Sequence, residues 1–149
     1  MFLDLISLSD VVFLESQERD ECISELLEVI CRKNPGIDRS SCLNALIERE
    51  DKMSTVIKDI AVPHAVLKDD KKTCIALGIS KKGVDFDESS PDKSSVHVII
   101  EILFEQNNTE AHLAILKDVL ELTKTPDFFT TLVQRETPAD AYRYLESLK

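Results

Sequence analysis

Three histidines carry most of the chemistry this sequence can offer, and each sits in a different local context. His64 lies in Ile60-Ala61-Val62-Pro63-His64-Ala65, directly after a short apolar run. Pro63 fixes its own φ and biases Val62 toward an extended backbone, so the imidazole is presented at a strand end. In sheets flanked by helices, strand ends are where ligands and reactive groups gather. A neutral imidazole there can act as a nucleophile, because its ordinary pKa leaves an unprotonated fraction near neutral pH. The alternative reading is a histidine that merely occupies a turn. His112 falls in the first turn of a helix starting near Asn108 or Thr109. Free N–H groups and the positive end of the helix dipole disfavour a second positive charge there and favour an anion such as a phosphoryl group. His97 alternates with Val96 and Val98 and shares a strand face with Ile99, Glu101 and Leu103, which reads as a strand histidine satisfied by a nearby carboxylate. The three lack HExxH-type spacing, so no metal site is expected. Nor is a cofactor: neither GxxxxGK[ST] nor GxGxxG occurs, leaving no cradle for a nucleotide phosphate.

The elements that must hold these residues read as mixed α/β. Val11–Leu14 is a short strand-like run. Ser16 offers a helix N-cap, with Glu18, Asp20 and Glu21 acidic in the first turn. Ile23, Leu26, Leu27 and Ile30 then fall on one helical face, and Asn34-Pro35-Gly36 stops that helix. Asp38 caps a second helix with Leu43, Leu46 and Ile47 inward, running to about Glu50. Ile60–Val62, Thr73–Ser80 and Ser95–Phe104 have the composition of buried strands, with turns expected at Gly83 and at Ser89-Ser90-Pro91-Asp92. From Asn108 the period becomes helical, with Leu113, Leu116, Val119 and Leu120 along one face. Thr125-Pro126 and Thr137-Pro138 each place a hydroxyl before a Pro at a helix start, and Asp140 completes a capping-box-like pattern. Strands lying between helices at both ends predict a single α/β domain over residues 1–149, a mixed sheet sandwiched by helices on both faces.

Composition narrows the partners. The 149 residues carry 18 Lys+Arg against 28 Asp+Glu, a formal charge of -10, which repels nucleic acid and anionic membrane surfaces. A basic-rimmed protein partner is attracted instead, with salt-sensitive association. The run Val96–Phe104 is far short of the roughly 20 apolar residues that span a bilayer, so no membrane insertion is expected. The N-terminus has no basic stretch before its apolar residues and does not read as a signal peptide. Cys22, Cys31, Cys42 and Cys74 have neither CxxC spacing nor the density of a disulfide scaffold, and read as reduced thiols of a cytoplasmic protein.

The run IAVPHA at 60–65, with EAHLAIL at 110–116 opening a helix, resembles the type-2 IIA component of the bacterial phosphoenolpyruvate-dependent phosphotransferase system. The similar branch comprises fructose-, mannitol- and nitrogen-regulatory-type IIA domains. The likeness extends from about Leu14 to Leu148, through Arg49-Glu50, Val84–Asp87 and the HLxxLxxxL helix from His112. It implies a mixed sheet between helices and a mechanism. His64 would accept a phosphoryl group from the phosphohistidine of an HPr-type carrier. His112 would orient the group, and Arg49 would be a nearby cation. The group would pass to a IIB domain or remain as a regulatory mark. Absence of a nucleotide loop fits a phosphoprotein donor. A chain with no fused IIB or membrane part suits the nitrogen-regulatory type.

The sequence also departs from the family pattern. Where the family carries several glycines, as in STGIGNG, this chain has Ser54-Thr55-Val56-Ile57-Lys58-Asp59 and is one residue shorter. Glycine permits torsions that other residues resist, so the pocket rim differs, and Asp59 would oppose a phosphate if it pointed inward. Val66 stands where a basic residue is frequent, leaving Lys68 as the nearest cation. Ala61, Val62, Ala65 and Val66 are expected to form an apolar docking patch. Two readings follow: a phosphoryl carrier, or a non-catalytic regulatory module that keeps the fold.

Overall fold

The run Val96–Phe104 forms a nine-residue strand in which only His97 is more than slightly exposed. Such burial on both faces requires partners on both edges and helices above and below. The structure is a computed structural model describing residues 2–86 and 95–149. Two short 3₁₀ turns, Phe2–Leu5 and Leu8–Asp10, precede β1 (Val11–Phe13), α1 (Arg19–Lys33), α2 (Arg39–Lys52), β2 (Ile60–Ala61) and β3 (His64–Val66). Then come β4 (Cys74–Val84), β5 (Val96–Phe104), α3 (Thr109–Leu122), α4 (Phe128–Gln134) and α5 (Pro138–Ser147). The sheet runs β1-β4-β5-β2, with β3 also on β5. β4 and β5 are antiparallel, while β1 on β4 and both β2 and β3 on β5 are parallel. One face of this α/β domain packs Val98, Ile100, Ile102 and Phe104 against the N-terminal turns and α3–α5. The other packs Ile99 and Leu103 against α1 and α2. This is the mixed sheet between helices that the sequence predicts.

Local signals place most helix ends. Asp38 caps α2 by accepting the Ser41 N–H at 3.2 Å, and Thr137 caps α5 by accepting that of Asp140 at 3.1 Å. Asn34 terminates α1, and α2 runs on to Lys52.

Four expectations change. Ser16 is not the cap of α1: Glu18 holds that position without a side-chain bond. Ser16 Oγ instead accepts the Glu18 N–H at 3.3 Å and donates to Glu21 at 2.7 Å, tying the helix's acidic first turn to the preceding loop. Thr125 does not cap α4, which begins behind Asp127 at φ 60; its carbonyl, not its hydroxyl, accepts the Phe128 N–H, and its own N–H donates to the Leu122 carbonyl. Gly83 lies inside β4, at φ +91 beside an irregularity in the pairing with β5, where a Cβ would come 2.5 Å from that of Ser95. The inner stripe of α3 is Ile115, Leu116, Val119 and Leu122, while Leu113 and Leu120 face outward. Leu113-Ala114-Ile115-Leu116 covers every face of one turn, so spacing alone admits either stripe. The Ser89-Ser90-Pro91-Asp92 turn lies outside the described residues.

All four cysteines are free thiols, Cys22 buried and the others half-buried. Burial pushes Cys22 up to about 12 and raises the other three. Glu101 occupies the same face of β5 as Ile99, with no exposure, and neither carboxylate oxygen has a hydrogen-bond partner. Desolvation drives its pKa well above the ordinary value of 4.5. The folded state therefore keeps a proton that the unfolded chain releases, so stability falls as pH rises above the unfolded value. Glu101→Met, similar in volume and without the polar atoms, is expected to stabilise the fold by about 1–3 kcal/mol near neutral pH. It should also flatten the decline of stability between pH 5 and pH 8, as urea unfolding at several pH values would show. An unchanged pH slope would refute the assignment.

Candidate functional site

β2 and β3 are one edge strand interrupted at Val62-Pro63. The register on β5 does not slip across the interruption: Ala61 pairs with Ile99 and His64 with Ile102. Ile102 N–H donates to the Pro63 carbonyl at 2.9 Å, so the ladder continues through the break. His64 therefore opens a second strand segment, rather than turning away to solvent. Its half-buried ring donates Nδ1–H to the Val62 carbonyl at 2.8 Å. A carbonyl can only accept, so this bond selects the tautomer and leaves Nε2 unprotonated. Burial lowers the His64 pKa, opposed by the bond to Val62; Arg49 and His112 lower it further, and Glu50 raises it.

The second imidazole arrives from the other layer. β5 ends at Phe104, and Glu105–Asn108 leads into α3, where Asn108 caps the helix by accepting the Ala111 N–H at 3.1 Å. His112 Nε2–H donates back to the Glu105 carbonyl. Phe104 lies between the rings, edge-on to His64 at 5.7 Å and stacked on His112 at 4.4 Å. An open groove of about 550 Å³ runs along this sheet edge between α2 and α3. Arg49, His64 and His112 all line it, so the three site residues expected from the sequence come together. Arg49 also donates to the Met53 carbonyl at 2.8 Å, closing the end of α2. The positive end of α3 and Arg49 suit the groove to an anion, with the half-buried imidazole beside them; Lys52 lies 3.6 Å from Glu48, which also lines the groove.

His97 stays in β5 as a strand histidine outside the groove: it packs beside Gly83, and its backbone N–H donates to the Asp59 carbonyl at 3.2 Å. Two other expectations change. Lys68 lines a neighbouring cleft with Gly36 and Cys42. Ala61 and Val62 are buried because residues 60–62 point alternately into the two cores; only Ala65 and Val66 of the expected patch reach the groove. Its apolar surface is completed by Leu113, 62% exposed, with Ala45 and Leu116. Asp59 is exposed and does not line the groove. Lys52, Phe104 and Thr109 were missed by sequence reasoning. The spacing of Lys52 from Arg49 along α2 is a usable signal, whereas Phe104 needed the register. Among the described residues, no group of three or more His, Cys, Asp or Glu could hold a metal. No helix among them is long and apolar enough to cross a membrane.

Comparison with known proteins shows the family and the fold. Residues 5–148 match the family model described as Phosphoenolpyruvate-dependent sugar phosphotransferase system, EIIA 2. The chain belongs to this family. It is 30% identical over 125 residues to the fructose-specific EIIABC component of Bacillus subtilis, a match covering 83% of this chain and 19% of that protein. The chain thus spans about a fifth of that relative's length. The fold resembles that of nitrogen regulatory protein IIA-Ntr from Neisseria meningitidis, with a TM-score of 0.83, 21% identity and coverage of 97% and 98% of the two chains. It also resembles the IIA mannitol enzyme of Escherichia coli, solved in complex with phosphorylated enzyme IIB, with a TM-score of 0.75, 17% identity and coverage of 95% and 97%.

The balance of charges at His64 is open to measurement. In an NMR titration its ring should protonate below about 6.5, the ordinary value. Arg49→Met should move that midpoint upward, because it removes a cation that opposes protonation. An unmoved midpoint would separate Arg49 from the site's electrostatics.

Proposed function

We propose that this chain is a cytoplasmic phosphoryl carrier that accepts a phosphoryl group on His64 Nε2 from the phosphohistidine of an HPr-type protein. The observation that carries the reading is the Nδ1–H bond to the Val62 carbonyl, which reserves the other nitrogen's lone pair in a groove shared with His112 and Arg49. In the step, the donor's N–P bond breaks as the bond from Nε2 to phosphorus forms. The proton stays on Nδ1, hydrogen-bonded to the Val62 carbonyl, and that carbonyl meets the positive charge the ring gains as the donor nitrogen takes back the electron pair of the broken bond. Phosphoryl transfer asks mainly for positioning and charge stabilisation, which the fixed imidazole, the α3 N-terminus and Arg49 supply. His112 takes part in positioning, held by Glu105 and stacked on Phe104.

Delivery follows one of two routes in this family reading: onward to a IIB partner, or retention as a regulatory mark. We take the nitrogen-regulatory form; the IIA-Ntr fold likeness over nearly the whole of both chains supports it. The apolar rim of Ala65, Val66, Leu113 and Leu116 suits a shallow protein partner. The absence of glycine at 54–59 does not fill the groove. Lys58 itself adopts φ 58, and Ile57 and Ile60 exchange both backbone bonds around a tight Lys58-Asp59 turn.

Intact mass after incubation with phosphoenolpyruvate, enzyme I and HPr tests the proposal. The wild type should gain one acid-labile phosphate, and His64→Ala none. Phosphate on His64→Ala would remove the assignment. No gain on the wild type, where a known IIA is fully modified, would leave the fold as a binding module only. His112→Ala should slow the gain by about a hundredfold without abolishing it. An unchanged rate in that variant would take His112 out of the site.

A further inference from the structure

Arg49 reaches the groove, but its neighbour Glu50 points the other way and is 4% exposed. A buried carboxylate needs donors, and Glu50 takes two from one residue. Thr55 N–H donates to Oε2 at 3.1 Å, and Thr55 Oγ1–H donates to Oε1. Having given its proton to Glu50, the Thr55 hydroxyl can only accept in its next bond. It accepts Val62 N–H at 3.0 Å. Val62 is the residue whose carbonyl accepts the hydrogen bond from His64 Nδ1–H. A continuous path of contacts thus runs from the last turn of α2, through the 54–59 loop, to the imidazole.

The position of Val62 explains what this path does. Val62-Pro63 is the interruption between β2 and β3, and Pro63 has no N–H to contribute. Beyond the interruption the Pro63 carbonyl is tied to Ile102 N–H, and before it Val62 N–H is tied to Thr55. The intervening Val62 carbonyl is thereby clamped from both sides, aimed at His64. Without Thr55, Val62 N–H would be a buried donor with no partner, and this residue would be free to rotate. Glu50 in turn fixes the rotamer of Thr55 and sets which way its hydroxyl donates.

We infer that Glu50 and Thr55 are positioning residues for His64: through Val62 they hold its ring in the Nδ1–H tautomer and keep Nε2 free for transfer. The inference rests on the reading of His64 as phosphoryl acceptor for its functional meaning, and on the hydrogen bonds alone for its structural content. Neither residue touches the transferred group. Their effect is on which nitrogen carries the proton and on the geometry of attack.

The test uses the intact chain with Thr55→Val, Thr55→Ser and Glu50→Gln. Thr55→Val keeps the shape but removes the hydroxyl, whereas Thr55→Ser retains it. Glu50→Gln removes the negative charge and leaves one oxygen for two donors. Imidazole ¹⁵N shifts report the His64 tautomer in the unphosphorylated protein, a quantity that loop stability alone would not move. Wild type should show the Nδ1–H form, and Thr55→Val a mixture with Nε2–H. Thr55→Val should also accept phosphate about tenfold to a hundredfold more slowly. Thr55→Ser should restore both. Glu50→Gln should lower the His64 midpoint and shift the pH profile of phosphate gain to lower pH. A wild-type tautomer and rate in folded Thr55→Val would overturn the inference. If Thr55→Val does not fold, Glu50→Gln decides, and an unchanged tautomer and midpoint there overturns it equally. Failure of the wild type to take phosphate, with the tautomer still altered in Thr55→Val, would instead count against the carrier reading and leave the positioning intact.

Discussion

Both imidazoles of the groove take their position from the C-terminal end of β5. Ile102 pairs with His64 and ties the Pro63 carbonyl; Phe104 separates the two imidazoles; the Glu105 carbonyl holds His112. Leu67 N–H donates to the Phe104 carbonyl, so the chain leaving β3 is anchored there too. A strand buried on both faces and hydrogen-bonded on both edges is among the least yielding elements a small domain can build. Fixing two histidines from separate segments to adjacent residues of that strand gives a separation that neither loop could maintain alone.

The groove lies at an edge of the sheet, where the two helical layers part. α2 supplies Arg49 and Lys52 from one layer, and α3 supplies His112 and its positive end from the other. This location reconciles two needs. The proposed acceptor role asks for an imidazole buried enough to favour its neutral form, yet open enough for another protein to reach its free nitrogen. His64 is half-buried, with its charge disfavoured by desolvation, while Val66 beside it is 54% exposed. The positive groups are local exceptions on a chain of charge -10. On the proposed function, long-range attraction toward a basic-rimmed partner and short-range stabilisation of an anion would therefore come from different sets of residues.

Much of this was legible in the sequence, and the limits have physical causes. Asp38 and Thr137 act as caps because a side-chain oxygen three residues before an orphan N–H is a local matter. Ser16 fails because the chain stays extended as far as Glu18, which bridges Asp85, and Thr125 because an additional turn precedes α4; composition encodes neither. The apolar face of α1 was unambiguous, whereas α3, apolar around a whole turn, needed the sheet to choose its inner side. At the site, Pro63-His64 announced a presented imidazole. What spacing could not supply was register: it places Phe104 between the rings and buries Ala61 and Val62. The bond from Thr55 to Val62 joins two segments across a loop, and no periodicity marks it.

The loop at 54–59 shows how one departure from a family pattern can be absorbed. Glycines would have offered left-handed torsions without strain; here Lys58 takes φ 58, at a cost of about 1–2 kcal/mol. Offsetting contacts are close by. Ile57 and Ile60 exchange backbone bonds at 2.8 and 3.1 Å, and the Asp59 carbonyl accepts from His97 and Val98 at the start of β5. Those bonds turn the shortened loop directly into β2 and leave the Asp59 side chain exposed, away from the groove. They also fix where the loop's earlier half must lie, which puts Thr55 between Glu50 and Val62. The tight turn and the buried hydroxyl are two ends of one constraint. The first sets the loop against β5, and the second carries that registration to the carbonyl that holds the His64 proton.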